Sequence, residues 1–320
     1  MNIGIVEYYS GFAWPVYDCL QCRCRFTLHD ERVYDELHRD SGSCYNVYRG
    51  LQERCTEAFM RGDLSALRKE LYNNAKYRFV IEEVDRLPKN TRILEIGCSR
   101  GYLTSYFILA GYQVTGADVS ESAILAARTA FGNHFAVIDE IYAQEMKVPY
   151  DLIYHVGTIG CVADPLTLTR RLLERVGSRG RLLFNAPNLH SCLRGQLWID
   201  AAPPPDLVTI FPPGFWKQQF SSEAQVEEQV EHCGSSEALS IGLRNLARRR
   251  WKQPTPIALN KSSERYISGS VAPNKKVPLQ DRAWQHFEKG CVKVASVTGL
   301  QRLAPSQPTP FGLFVKMVRK

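Results

Sequence analysis

The residues best placed for chemistry lie in RILEIGCSRGYLT, residues 92–104. An apolar run of strand length ends at Ile96, and Gly97 and Gly101 enclose Cys98, Ser99 and Arg100 before an apolar run of helical character begins. Glycines at a strand-to-helix turn permit positive φ and let a ligand approach the backbone closely. Such a turn also offers the ligand a helix N-terminus. A second short apolar run ends at Asp118 in GADVS. At a strand tip beside the glycine turn, that carboxylate can accept both hydroxyls of a ribose. The spacing is not the G-x-G-x-x-G of a dinucleotide site. Glu95, inside the strand, suits a nucleoside ligand that carries an ammonium group and no pyrophosphate.

Other candidates stand at the ends of later strand-like runs. His155 closes YDLIYHV and is the single best base candidate. A histidine packed at a strand end is the competing meaning, and both readings stay open. Tyr102, Asn185, Asn188, His190 and Trp198 fall on the same edge and are pocket candidates. Cys19 and Cys22 form a C-x2-C pair with Cys24, His29, His38 and Cys44 nearby. A closed zinc site takes four ligands, usually from two such pairs. One pair is present, so Cys19 and Cys22 are the ligands if zinc binds, and zinc is not the reading adopted.

The order of elements must bring these residues together. Residues 56–87 have the apolar spacing of amphipathic helices, closed by Pro88. Strand and helix patterns then alternate from RILEI through YQVTGAD, HFAVID and YDLIYHV to GRLLFNA. Alternation of that kind predicts parallel crossover units in a doubly wound α/β sheet. The segment DAAPPPDLVTIFPPGFW, with Trp198 just ahead of it, reads as an ordered loop anchored by aromatics and placed to act as a lid. Residues 222–252 read as helix and 253–280 as a polar surface connection, and FGLFVKMVRK reads as a closing strand.

LEIGCSRG resembles the first motif of the class I S-adenosylmethionine-dependent methyltransferases, and GADVSESAIL resembles their second. HFAVIDE is similar to their third strand, YDLIYHVGTIGCVADP to the fourth and GRLLFNAPN to the fifth. The resemblance runs from about residue 75 to 190 and takes in the closing strand. It implies a mostly parallel, seven-stranded Rossmann-like sheet with a small N-terminal module and a C-terminal lid or insertion. It implies S-adenosylmethionine as cofactor, held by Glu95, Gly97, Cys98, Gly101, Asp118, Val119 and His155. Asp139 or Glu140 would lie beside the adenine. Tyr102, Asn185, Asn188 and Trp198 would face the acceptor. Ser99 stands where the family usually has glycine, which a negative φ would tolerate. Gly160-Cys161 replaces a Glu-His found in many relatives, which removes one familiar base. VYDCLQCRCRFTLHDERVYDELH resembles the second half of a zinc ribbon found ahead of related enzymes. The Pro-rich loop resembles that of a branch acting on small molecules and saccharides.

Composition sets the outer bounds. At 320 residues, 44% hydrophobic and 23% charged, the chain has the make-up of a globular protein. No apolar run approaches a membrane span, and no secretory signal pattern opens the sequence, so a cytoplasmic enzyme without a membrane partner is expected. The ten cysteines are scattered, as in reduced proteins. The net charge of +7 gathers partly at Arg244, Arg248, Arg249, Arg250 and Lys252. A solvated helix face is the commoner meaning of such a run than a nucleic-acid footprint. The organisation expected is a Cys-rich module over 1–55, a helical cap over 56–90 and a cofactor-binding core over 91–221. A helical insertion over 222–298 and closing strands over 299–320 complete it. The expected function is methyl transfer to a small-molecule or saccharide acceptor, with an rRNA base methyltransferase or a non-catalytic donor-binding scaffold as alternatives. Neither the acceptor nor the oligomeric state is written in the sequence.

Overall fold

The computed structural model describes residues 1–9, 12–28, 30–40, 49–143, 149–192, 197–199, 206–232, 290–295 and 308–320, with 202, 204, 239, 287, 298 and 299 besides. The basic run at 244–252, the connection over 253–280, His29 and Cys44 therefore lie outside the described residues, as does the Glu140 side chain.

The chain opens with three antiparallel strands, β1 (Asn2–Tyr9), β2 (Phe12–Asp18) and β3 (Arg25–Thr27). A short helix α1 (Glu31–Tyr34) runs into a π-helical turn over Asp35–Asp40. Helices α2 (Arg49–Met60), α3 (Leu64–Tyr72) and α4 (Ala75–Val84) follow, where the amphipathic spacing placed helices. Asp63 and Asn74 cap α3 and α4 by accepting the backbone N–H groups of Ala66 and Lys76. Leu67, Leu71, Val80, Ile81 and Val84 are fully buried from these two helices.

The core alternates β4 (Arg92–Ile96), α5 (Tyr102–Leu109), β5 (Gln113–Asp118), α6 (Glu121–Phe131), β6 (Phe135–Val137) and α7 (Ile138–Ala143). It continues through β7 (Tyr150–His155), α8 (Pro165–Arg175) and β8 (Val176–Ala186). After a loop come β9 (Thr209–Ile210), α9 (Phe215–Phe220), β10 (Ala224–His232) and β11 (Pro308–Arg319). The large sheet has seven strands in the order β10-β11-β8-β7-β4-β5-β6. The pairs among β4, β5, β6, β7 and β8 are parallel, while β11 joins β8 and β10 antiparallel. The expected doubly wound sheet is present, closed by the expected strand. Parallel strands buried on both faces need apolar side chains on both. Leu152 and Tyr154 accordingly join the core under α2–α6, and Ile153 and Phe184 the core under α8 and α9.

Residues 224–232 correct the helical reading of the segment from 222. AQVEEQVEH is a strand, paired with β11 from Ala224↔Arg319 to Val230↔Leu313. Its glutamates and glutamines favour helix, but Val226 and Val230 alternate with exposed Gln225, Glu227 and Gln229, and a long partner strand decides the outcome. The N-terminal strands, for their part, form no isolated module. β9 joins β3 to make a four-stranded sheet β1-β2-β3-β9, so the loop after β8 is the edge of that sheet. No helix among the described residues is long and apolar enough to cross a membrane.

Candidate functional site

The turn after β4 is wound tightly in the left-handed region. Gly97 has φ 74°, Ser99 φ 48° and Gly101 φ 80°. A Cβ at Gly97 would collide with the Thr158 hydroxyl, and one at Gly101 would lie 2.5 Å from the Phe135 ring. Each glycine is therefore required by φ and by close approach together. The positive φ of Ser99 corrects the expectation of a tolerable negative one. A non-glycine residue there is strained, and its N–H donates to Asp118 Oδ2 at 2.7 Å, which holds it in place. Asp118 Oδ1 accepts the Ser120 N–H at 2.9 Å. Burial raises the Asp118 carboxyl above its ordinary range, opposed by those backbone donors. Each oxygen keeps a lone pair for a ligand hydroxyl.

Glu95 is almost wholly enclosed, at 3% exposure, on the inner side of the turn. Its Oε2 accepts hydrogen bonds from Thr104 Oγ1 and, at 2.9 Å, from Tyr154 OH. Burial pushes the carboxyl up to about 7 against those two donors. Glu95 thus braces β4 to α5 and β7, and also contributes to the cavity wall.

The cavity above these residues has a volume of about 730 Å³, within the range of small-ligand sites. It opens at the carboxyl ends of β4, β5 and β7, where open α/β sheets bind ligands. Of the residues predicted from the motifs, Glu95, Gly97, Cys98, Asp118, Val119 and Tyr102 are in its wall. The thiol of Cys98 is buried and its pKa correspondingly raised.

Other predicted residues lie elsewhere. His155 is fully buried, its ring stacked on Phe184 with centroids 4.7 Å apart and planes at 17°. Neither ring nitrogen has a hydrogen-bond partner, and burial lowers its pKa to about 3. Because side chains alternate along β7, His155 faces α8 and α9 with Ile153, away from the cavity, and the base expectation is corrected on that ground. Gly101 caps α5 and is not in the wall. Asp139 is carried outward because the third strand stops at Val137 and α7 begins. Its side chain is 74% exposed and pairs with Arg39 at 3.6 Å. Asn185 supports the wall from behind: it accepts the Gly157 N–H at 2.9 Å and donates to Phe311 O at 3.0 Å. Asn188 caps the 3-10 turn at Leu189–Ser191, and His190 is exposed. Trp198 packs with Trp14, Val16, Leu207 and Ile210 and donates to Ala202 O at 3.0 Å, so it anchors the loop and does not line the cavity.

The Cys19–Cys22 pair sits in the β2–β3 turn. The Cys22 N–H points at Cys19 Sγ at 3.5 Å and, with other backbone donors, lowers the Cys19 thiol below its usual range. Cys24 is buried, which raises its thiol instead. Among the described residues no group of three or more His, Cys, Asp or Glu side chains could hold a metal ion.

Several wall residues carry no motif. Tyr34 and His38 reach over from the N-terminal segment, Lys76 and Tyr77 from α4, Asp206 and Leu207 from the loop, and Phe311 from β11. They come from segments far apart in sequence, so no local spacing marks them. The one sequence signal was the aromatic content of the loop and N-terminal segment.

Residues 68–225 match a family model described as a methyltransferase domain. A ubiquinone biosynthesis O-methyltransferase of Hydrogenovibrio crunogenus is 27% identical over 106 residues, 31% of this chain and 44% of that protein. One from Aromatoleum aromaticum is 30% identical over 104 residues, 30% of this chain and 44% of the relative. The chain thus spans under half the length of these curated relatives. Among solved structures, the plantazolicin methyltransferase BpumL in complex with SAH aligns over 91% of this chain and 97% of its own, at 15% identity and a TM-score of 0.41.

Proposed function

We propose that this chain, whose residues 68–225 match a family model described as a methyltransferase domain, is a class I S-adenosylmethionine-dependent methyltransferase that transfers a methyl group to a small-molecule or saccharide acceptor. One observation carries the reading: the Gly97 turn and the Asp118 carboxylate share the wall of a single cavity of about 730 Å³ at the carboxyl ends of β4 and β5. The residues fit the donor. Asp118 has lone pairs free for two ribose hydroxyls, and the turn at Gly97–Ser99 presents bare backbone to the ligand. When bound, the donor supplies an electrophilic methyl on a sulfonium.

What the chain's own residues add is alignment and exclusion of water. In-line displacement gains chiefly from holding the two reactants in register. Tyr34 and His38 close over one side of the cavity, Tyr77 and Phe311 over another. His155, buried and neutral, takes no proton from an acceptor. The names of the curated relatives, ubiquinone biosynthesis O-methyltransferases, support a small acceptor that attacks through oxygen.

Titration calorimetry with S-adenosylhomocysteine tests the reading. The wild-type protein should bind, and Asp118→Ala should weaken binding tenfold or more, since two hydrogen bonds to a carboxylate are worth about 1.5–3 kcal/mol each. Absence of binding by the wild type overturns it.

A further inference from the structure

Two of the described cysteines line the cavity, Cys98 and Cys161. Cys98 is buried and its thiol pKa raised, whereas Cys161 is half-buried. A tight turn holds Cys161 in place. Its N–H donates to Thr158 O at 3.0 Å, and Gly160 just before it sits where a Cβ would lie 2.5 Å from Pro187. Gly160 O in turn accepts the N–H groups of Val208 and Thr209 at 2.8 and 3.1 Å. The Cys161 thiol donates to Gly157 O at 3.5 Å. Lys76, the second residue of α4, enters the cavity and reaches the same glycine, with Nζ 3.7 Å from where a Cβ on Gly157 would stand. Among the described residues no carboxylate pairs with this enclosed amine, and the Phe311 ring, 5.1 Å from Nζ to centroid, compensates an ammonium only weakly. Burial lowers the Lys76 pKa, and the nearby charge that opposes it is that of a Cys161 thiolate. Burial raises the Tyr34 phenol, and the same thiolate adds to that ahead of Asp118. The sulfur thus lies between the N-terminal segment and α4, within the cavity they enclose.

We propose that Cys161 is a modification site inside the cavity, where Lys76 supports the thiolate and a small disulfide of the glutathione class leaves a mixed disulfide. An ammonium beside a thiol favours the thiolate, which is the attacking form. The Cys161 sulfur attacks one sulfur of the disulfide, and a new S–S bond forms as the old one breaks with its electron pair on the departing sulfur. That departing thiolate takes up the proton that Cys161 gave away, so one thiol is consumed and one released. A tenfold gain in thiolate is partly offset by weaker nucleophilicity, which leaves about a threefold gain in rate. A tripeptide-sized adduct on this sulfur then competes with any other ligand for the cavity. The chemistry needs no methyl donor, so it stands or falls apart from the methyltransferase reading.

Incubation of the wild type, Lys76→Met and Cys161→Ser with oxidised glutathione near neutral pH tests this, with the adducts located by peptide mass spectrometry. The wild type should carry glutathione on Cys161, and dithiothreitol should remove it. Lys76→Met should acquire that adduct about threefold more slowly. The rate at Cys19, whose thiol is lowered by its own turn, should not change. Calorimetry gives a second readout. The treated wild type should lose about tenfold or more in affinity for S-adenosylhomocysteine, while Cys161→Ser should keep after treatment the affinity it had before. A wild-type Cys161 that stays unmodified overturns the proposal. So does a rate at Cys161 that Lys76→Met leaves unchanged, or a modified wild type that binds the nucleoside as tightly as before. If the untreated wild type binds no S-adenosylhomocysteine, the methyltransferase reading falls, and the mass readout on Cys161 still decides this proposal.

Discussion

Glu95 is a carboxyl group held by two hydroxyls and nothing cationic, with its pKa raised from 4.5 to about 7 by burial. A carboxyl raised in the folded state lends stability that is complete below pH 4.5 and is lost as pH rises through about 7. Glu95→Gln keeps an acceptor for Thr104 and Tyr154 and removes the titration. The variant should therefore gain on the wild type in melting temperature between pH 5 and pH 8, by at most about 3 kcal/mol of stability. A gap that does not change with pH would count against it. His155 works the other way. Its pKa is lowered to about 3, so its neutral form stabilises the fold above pH 6.5 and that contribution is lost as pH falls towards 3. His155→Phe preserves the stack on Phe184 and should melt later than the wild type at pH 4.5, with a smaller difference at pH 8. Equal melting temperatures at pH 4.5 would refute this. Ser99→Gly should relieve a left-handed φ worth about 1–2 kcal/mol, offset in part by the unfolded-state freedom of glycine. Thermal unfolding should rise without loss of S-adenosylhomocysteine binding. At this scale the gathering of Glu95, Gly97 and Asp118 in one cavity wall was legible because they lie close together in sequence, at or next to the tips of neighbouring strands. The burial of His155 was not, since a period of two does not say which face of a doubly covered sheet a strand end presents.

The elements show why the aromatic loop was only half readable. Its prolines and aromatics marked it as ordered, and Asp206 and Leu207 do reach the cavity wall. Its anchor, however, is the N-terminal sheet: β9 pairs with β3 through Arg25↔Ile210, and Val208 accepts from Thr27 N while donating to Gly160 O. A partner nearly two hundred residues away leaves no trace in local periodicity. Trp198→Ala should cost about 3–5 kcal/mol of stability, as for a large buried aromatic. S-adenosylhomocysteine affinity should stay within about twofold, because Trp198 is behind the cavity wall, against Leu207 and Ala202, and does not line it. A loss of donor binding at unchanged melting temperature would contradict this placement. β10 teaches a related lesson, for its charged, Gln-rich sequence becomes strand only because β11 is there to pair with it.

Across the whole molecule, the cavity gathers residues from Tyr34 to Phe311. A ligand held there stabilises all the elements it touches, by about 2.7 kcal/mol at a hundredfold excess over its dissociation constant. Saturation with S-adenosylhomocysteine should accordingly slow amide hydrogen exchange over residues 31–40 and 308–312 as well as over the Gly97 turn. Protection confined to the turn would mean that the N-terminal segment and β11 do not close on the ligand.

The position of β11 carries a consequence for how the chain is made. This strand, Pro308–Arg319, lies between β8 and β10 and is the described partner of β10 in the sheet. During synthesis the ribosome delivers β8 and β10 first, and their facing edges wait unpaired while residues 233–307 are added. Exposed strand edges invite association with other chains. The nascent protein is thus most vulnerable late in translation, and a stalled or prematurely terminated chain that ends before residue 308 would expose two edges at once and be a substrate for chaperones or proteases.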